Sequence, residues 1–327
     1  MSATHLPEMS VVLITRTSFR TIRKTVRHLL RQTATDRLEL LIVAPSREAL
    51  GLADSDVQGF HSLQVVELGP IRSMSDARTA ATRHATAPVV AFAEDHCYPD
   101  PDWAQSLIDA HHHSCAAAGP AMRNANPRTL TSWVNYLMSF SRWTEPVAAG
   151  STDGLPWHNT SYKRDLLLAY GDELPSLFCV EGFLQQKLAA QGHRLVLAPM
   201  AKVSHVNISR PSCTFEHAFL GGRLFGAWRV RYGKWSPLRR VLYIVAAPLI
   251  PVVRFLRSYR EIRRIGEQDR LLPRVLPTLC VALSCHALGE LMGYAFGPGH
   301  GEQRYSIYEL SRIEQITETD RQVELAG

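Results

Sequence analysis

Residues 91–100 read AFAEDHCYPD, and three successive side chains, Glu94, Asp95 and His96, can each hold a cation. They end an apolar run, PVVAFA, that reads as a buried strand, and Pro99 and Pro101 follow directly. Carboxylate and imidazole donors suit Mn2+, Mg2+ or Zn2+. A Glu-x-His corner at a strand end can hold an ion that bridges a diphosphate. The same tripeptide also fits a hydrogen-bonded strand-to-loop turn, with the prolines ending the strand.

The elements that would position this corner alternate in type. SVVLIT (10–15), LELLIVA (38–44), LQVVEL (63–68) and APVVAFA (87–93) are short apolar runs of strand length. Between the first two, Phe19, Ile22, Val26, Leu29 and Leu30 recur at helical spacing, and Asp76 to Thr86 offers a face of alanines. The alternation predicts an α/β fold with a mostly parallel sheet flanked by helices. Such sheets bind ligands beyond the carboxyl ends of their strands, where Glu94, Asp95 and His96 stand.

With 327 residues, 46% hydrophobic and 20% charged, the chain is globular and holds one large domain or a domain with an appendage. Its six cysteines form no CxxC pair and are expected to be reduced thiols of a cytosolic compartment. The N-terminal MSATHLPEMSVVLITR has an apolar run too short for a signal peptide. His111-His112-His113 looks like a metal tract, but consecutive helical residues point in different directions, so a solvated helix end is expected.

Charge is uneven. Residues 210–274 hold 14 Lys/Arg against 4 Asp/Glu, a local +10 in a chain of net +6. Inside lies VLYIVAAPLIPVV (241–253), flanked by Arg239, Arg240, Arg254 and Arg257; a second apolar stretch covers 275–297. The first is short and contains Pro248 and Pro251, and the second contains His286 and Glu290, so neither is expected to span a bilayer. Interfacial or re-entrant helices with arginines at anionic headgroups fit better, and a buried helical hairpin is the alternative. GGRLFGAWRVRYGKW (221–235) interleaves arginines with aromatics, a pattern that can bind RNA. A lid or a membrane-facing acceptor rim is the preferred expectation, without nucleic acid as a partner.

Three blocks, SVVLITRTSFRTIRKTVRHLLRQT, LELLIVAPS and ARTAATRHATAPVVAFAEDHCYPDPDW, resemble in that order the nucleotide-sugar half of a family-2 glycosyltransferase of the GT-A fold. The resemblance covers 9–210. It implies a GT-A domain over 1–210, with a nucleotide-sugar half (9–110) and an acceptor half (111–210), followed by a helical, membrane-associated extension (211–327). The family's Asp-x-Asp metal motif falls on Glu94-Asp95-His96, and polypeptide N-acetylgalactosaminyltransferases of the same fold use an Asp-x-His form. LPWHNTSYKRDLLLAYG (155–171) resembles the acceptor-side segment, which implicates Trp157 and Asn159 in substrate binding. CVEGFLQQKLAAQGHRLVLAPMAKVSH (179–205) resembles the block carrying the catalytic acid and a metal-site histidine.

Carried over, Glu181 would be the general base, and His205 would join Glu94 and His96 on Mn2+ or Mg2+. Thr15, Arg16, Asp76, Arg78 and Asp95 would contact the nucleotide-sugar, and Arg223 the leaving diphosphate. Two positions depart from the family. Ala44 and Pro45 stand where an acid usually contacts the base, and Val180 stands where a second acid precedes the catalytic one. The implied activity is metal-dependent, inverting transfer of a sugar to a lipid or lipid-linked acceptor at the cytoplasmic face of a membrane. A UDP-sugar is the family's commonest donor and a GDP-sugar the other choice. The alternatives are a nucleotidyltransferase, which shares the sheet and the metal logic, and an inactive relative that binds lipid or a partner.

Overall fold

The computed structural model describes residues 6–326, the side chains of Glu181, Gln268 and Ala326 excepted. The chain forms two compact units, one of Met1–Arg123 with Val147–His205, the other of Asn124–Pro146 with Val206–Gly327.

The first unit is built on a sheet. Strands β1 (Met9–Ile14), β2 (Leu38–Ala44), β3 (Ser62–Glu67) and β4 (Val89–Phe92) pair in parallel in the order β3-β2-β1-β4. Every residue of β1, β2 and β4 is buried, as continuous apolar runs require when both faces of a sheet are covered. Beyond β4 the sheet departs from expectation. Strands β5 (Cys97–Pro99), β6 (Ala117–Asn124), β7 (Gly150–Thr152), β8 (Ser161–Lys163) and β9 (Leu195–His205) extend it in the order β4-β8-β6-β9-β5, with β7 also on β9. The pairs β4–β8, β6–β8, β5–β9 and β7–β9 are antiparallel, so the sheet is mixed rather than mostly parallel. Three of these strands have only three residues, too few to show a periodicity in sequence. Strand β9 runs 11 residues from Leu195 to His205, straight through Pro199. Proline is tolerated there because the β7 pairing ends at Leu197 and the β5 pairing begins at Val203.

Helix α1 (Phe19–Leu30) buries Phe19, Ile22, Val26 and Leu29, the face its spacing predicts. The unit's other helices are α2 (Arg47–Leu50), α3 (Met74–His84), α4 (Trp103–His112), α6 (Arg164–Leu168), α7 (Leu174–Phe178) and α8 (Glu181–Ala190). The histidine tract is not wholly solvated. His112 and His113 are exposed, but His111 continues the buried face of Trp103 and Leu107 on α4. Its Nε2 lies 3.0 Å from Ser161 Oγ.

The second unit is helical. Helix α5 (Leu130–Phe140) joins α9 (Pro211–Tyr232), α10 (Pro237–Val245), α11 (Ile250–Arg264), α12 (Gln268–Phe296), α13 (Gly301–Leu310) and α14 (Glu318–Ala326). A boundary at residue 210 would leave α5 in the first domain. Instead Val134 and Leu137 of α5 share a core with Ile262, Val275, Leu279 and Leu283. Helices α9 and α12 meet backbone to backbone at glycines spaced four apart on each. A Cβ at Gly222 would lie 2.1 Å from the His286 carbonyl, and one at Gly289 would lie 2.1 Å from that of Phe219. Gly226 and Gly293 repeat the contact one turn on, so no larger residue fits this crossing. The arginines interleaved with aromatics are engaged within the unit: Arg229 lies 5.0 Å from the Trp235 ring centroid and 4.9 Å from that of Tyr243. By length and composition Asp269–Phe296 is long and apolar enough to cross a membrane, and α10 and α11 together form a bent pair that also passes.

Burial, aided by the charge of Lys163, pushes the His111 imidazole down to about 4. The unfolded chain therefore takes up this proton first, and stability is complete above the ordinary value near 6.5 and falls as pH drops from there towards 4. Between pH 7.5 and 5 the group should cost the fold about 2 kcal/mol. Denaturant melts at the two pH values should show that loss in the parent and not in His111→Gln. Equal losses would mean that His111 is protonated in the folded protein.

Candidate metal centre

The turn at residues 93–96 connects β4 to β5 and is tied down by backbone atoms. Thr25 Oγ1 on α1 donates to the Glu94 carbonyl at 3.0 Å, and the Cys97 N–H donates to it at 3.3 Å. Two other stretches are drawn to the turn. The antiparallel register of β5 on β9 sets Cys97 opposite His205, which places their side chains as neighbours on one face. The Asn159 N–H donates to the Phe92 carbonyl at 2.8 Å, and the Phe92 N–H to that of Thr160 at 3.2 Å, which brings His158 beside Glu94.

Four side chains converge as a result. Donor atoms of Glu94, His96, Cys97 and His205 all lie within 4.8 Å of one another, and all four residues are buried. Glu94 Oε2 is 3.7 Å from His96 Nε2, 3.7 Å from His205 Nε2 and 3.1 Å from Cys97 Sγ. Its other oxygen, Oε1, is 2.8 Å from His158 Nδ1. Arg78 Nη2 is 3.2 Å from the same ring nitrogen. That nitrogen has one site to offer, and the nearer, anionic neighbour takes its proton in a hydrogen bond.

Burial alone would push the Glu94 carboxyl up. The imidazoles of His158, His96 and His205 outweigh burial and hold it well below the usual carboxylate range. The anion is thus the state this surrounding selects. Asp95 Oδ1 sits 2.6 Å from His96 Nδ1. Donation from Nδ1 leaves the Nε2 lone pair facing the cluster, the arrangement metal-binding histidines adopt. His96 Nε2 is buried and has no hydrogen-bond partner. The donor set and this orphaned nitrogen fit a divalent metal ion.

The other residues singled out in the sequence are placed as follows. Arg78 stands 3.2 Å from His158 Nδ1 and is buried over the Phe92 ring, 5.3 Å from its centroid. Asp95 orients His96, a role the sequence does not reveal. Thr15 directly follows β1 with its hydroxyl 2.8 Å from that of Thr21, half-buried Arg16 comes next, and Asp76 is exposed in the first turn of α3. Trp157 lies against Gly182, where a Cβ would meet its Nε1 at 3.3 Å, so it stands beside the start of α8. Asn159 is fully buried with φ 61°, and neither polar atom of its carboxamide has a hydrogen-bond partner. Glu181 opens α8 as expected, but its side chain lies outside the described residues. Arg223 donates from Nε to the Gly297 carbonyl at 3.0 Å, which gives it a structural partner at the end of α12.

Two members of the cluster were not foreseen as such. Cys97 stands in the stretch that drew attention to the site, and His158 lies between two residues assigned to substrate. Only strand register and the 158–160 backbone bonds show where their side chains go.

Residues 10–171 match the family model for glycosyl transferase family 2. That match spans just under half of the chain and is to a glycosyltransferase domain. Similar solved structures include the mannosyltransferase PcManGT from Pyrobaculum calidifontis in complex with GDP-Man and Mn2+, at 18% identity and TM-score 0.52, covering 88% of each chain. S. aureus TarS 1-349 is similar at 16% identity and TM-score 0.49, covering 92% of this chain and 91% of that one. GalNAc-T7 with UDP, GalNAc and Mn2+ is similar at 14% identity and TM-score 0.45, covering 62% of this chain and 44% of that one. At such identities the mannosyltransferase likeness shows a shared fold. No curated protein matches the sequence. The glycosyltransferase assignment agrees with the α/β fold and with a metal-capable corner at the carboxyl end of β4.

Removing the carboxylate that orients His96 should weaken metal binding without unfolding the domain. In Asp95→Ala, calorimetric titration should show divalent-metal affinity about 10–100-fold lower, the usual effect of losing an outer partner. Unchanged affinity would remove Asp95 from the support of the site.

Proposed function

We propose that this glycosyltransferase is metal-dependent and inverting, and that it moves a sugar from a nucleotide donor to an acceptor held at a membrane surface. The observation that carries the reading is the buried Glu94–His96–His205 corner at the carboxyl end of β4, within a family-2 domain. Glu94, His96 and His205 would hold a divalent ion, which when bound would supply positive charge to offset the negative charge developing on the leaving nucleoside diphosphate. Thr15, Arg16, Asp76 and Arg78 are assigned to the donor. A UDP-sugar is the first candidate. A GDP-sugar is the second, since PcManGT holds GDP-Man and β2 ends in Ala44, followed by Pro45, with no acid for the base.

Glu181 is the proposed general base. At the first residue of α8 the helix dipole favours its ionised form, and it would take the proton of the acceptor hydroxyl as that oxygen attacks the anomeric carbon. Trp157, packed against Gly182, and Asn159, with its buried and unsatisfied carboxamide, support an acceptor site beside the start of that helix.

The second unit supports the membrane part of the reading. Leu238, Val241, Leu242 and Val245 recur along one face of α10 and are exposed, as are Leu249, Val252, Val253 and Leu256 into α11. This is the outward apolar stripe of an interfacial helix pair. Of the flanking arginines, Arg240 bonds the carbonyls of Tyr294 and Ala295, and Arg254 bonds Glu290, so they are not left to headgroups as the sequence alone implies. Arg257, also of the flanks, is exposed and keeps that role, joined by exposed Arg260 and Arg263 on α11. The cytoplasmic leaflet, which is anionic, is the proposed location.

A panel of nucleotide-sugars tests the chemistry. Turnover should release nucleoside diphosphate, stop in EDTA and return with a divalent ion. Glu181→Gln should bind donor normally and turn over about 10²–10⁴-fold more slowly, the typical loss of a positioned base. A parental rate in that variant would exclude Glu181, and pyrophosphate as the product would make the protein a nucleotidyltransferase.

Flotation with anionic vesicles tests the membrane face. Replacing Leu242, Val245 and Leu249, exposed to 62%, 71% and 63%, by Ser should weaken binding at least about tenfold, roughly 1.4 kcal/mol. Failure of the parent protein to bind such vesicles at low salt would overturn this part of the proposal.

A further inference from the structure

The geometry points to a four-donor centre in which Cys97 is the fourth ligand, selecting a zinc-class ion (Zn2+, Co2+ or Fe2+) over Mg2+ and Mn2+. This inference rests on reading Glu94, His96 and His205 as metal ligands, and it assigns both a further donor and a metal class.

Three observations carry it. First, the separations from Glu94 are close to the right size. A tetrahedron with bonds of 2.0–2.3 Å has edges of roughly 3.3–3.7 Å; Glu94 Oε2 stands 3.7, 3.7 and 3.1 Å from His96 Nε2, His205 Nε2 and Cys97 Sγ. Second, the placement of Cys97 is built into the fold. It is the direct cross-strand partner of His205 and is fully buried, so its sulfur faces the cluster through strand register and not through a flexible side chain. Third, the corner holds a polar atom that awaits a partner: His96 Nε2, buried, without a hydrogen bond, and aimed by Asp95.

Donor chemistry then decides the metal. Two imidazoles, one carboxylate and a thiolate, formed as Cys97 releases its proton to solvent on metal binding, make a borderline-to-soft set, which suits Zn2+, Co2+ and Fe2+. Mg2+ demands near-octahedral oxygen and keeps several waters, for which a buried N, N, S, O cluster is a poor match. Four protein donors do not shut out a substrate, because zinc-type sites can expand to five positions.

The bland alternative is a buried thiol that hydrogen-bonds Glu94 at 3.1 Å and never meets a metal. Titrating metal-stripped full-length protein with Co2+ separates the two, because tetrahedral Co2+ absorbs strongly in the visible and a thiolate ligand adds a near-ultraviolet charge-transfer band. The parent should show both. Cys97→Ala should still bind Co2+, lose the charge-transfer band, and bind Zn2+ at least about 10–100-fold more weakly, the loss that even outer partners produce. Excess Mg2+ should displace Zn2+ from neither protein. Co2+ bound by the parent without a sulfur band would overturn the role of Cys97 and leave the three-ligand centre standing. An absence of Co2+, Zn2+ and Mn2+ binding in the folded parent would overturn both. The parent spectrum decides the matter even if the Cys97 variant does not fold.

Discussion

An ionised carboxylate buried among imidazoles is the constraint on which the first unit turns. Glu94 is 6% exposed. A charge taken out of water at that depth costs several kcal/mol unless it is paired and hydrogen-bonded. Each of its oxygens is supplied from a different part of the chain. Oε1 faces His158, and Oε2 faces His96, Cys97 and His205. The end of β4, the segment before β8 and the end of β9 must therefore all reach one point. A sheet with only parallel crossovers would not deliver the last two, and the antiparallel half of the sheet is what brings them in.

Backbone hydrogen bonds do most of this placing. The Glu94 carbonyl receives Thr25 Oγ1 and the Cys97 N–H, Phe92 exchanges bonds with the 159–160 backbone, and β5 lies in register on β9. Side chains add orientation. Asp95 sets the His96 tautomer, and Arg78 stands at the same His158 nitrogen that faces Glu94. Precision at the donor atoms is thus inherited from strand pairing, whose geometry varies little.

This origin explains what could be read in the sequence. Strands β1, β2 and β4 were plain because each is a predominantly apolar run, broken only by Ser10 in β1 and Glu39 in β2, and α1 was plain because its buried residues keep a period of 3.6. Strands β5, β7 and β8 have no such signal at three residues each, and Pro199 disguised the length of β9. The site divided along the same line. Glu94, Asp95 and His96 were legible because they interrupt an apolar run at a strand end. Cys97 read as one buried thiol among six, and His158 as a neighbour of more familiar residues, because their roles depend on pairings between distant segments. In the helical unit, the packing of α5 on Ile262, Val275, Leu279 and Leu283 crosses the 210 boundary for a related reason, because a contact between segments so far apart leaves no local signal.

A second buried carboxylate shows why the first reads as a metal site. Glu290 on α12 is 2% exposed, and it too is fully engaged. Arg254 donates to its Oε1 from Nη2 at 2.7 Å and from Nε at 3.0 Å, and Tyr294 donates to Oε2 at 2.5 Å. Arg229 stands 3.6 Å from the same Oε2. Guanidinium groups are always protonated and have no lone pair to give. A carboxylate surrounded by them is neutralised within the chain, and nothing is left to bind a cation. Around Glu94 the compensating groups are chiefly imidazoles, each of which can carry a lone pair instead of a proton. The same burial cost is met in one place by fixed positive charge and in the other by groups able to hand that task to a metal ion. The first arrangement locks a helix crossing together. The second keeps a centre whose charge can be supplied from outside, as the proposed metal-dependent transfer requires.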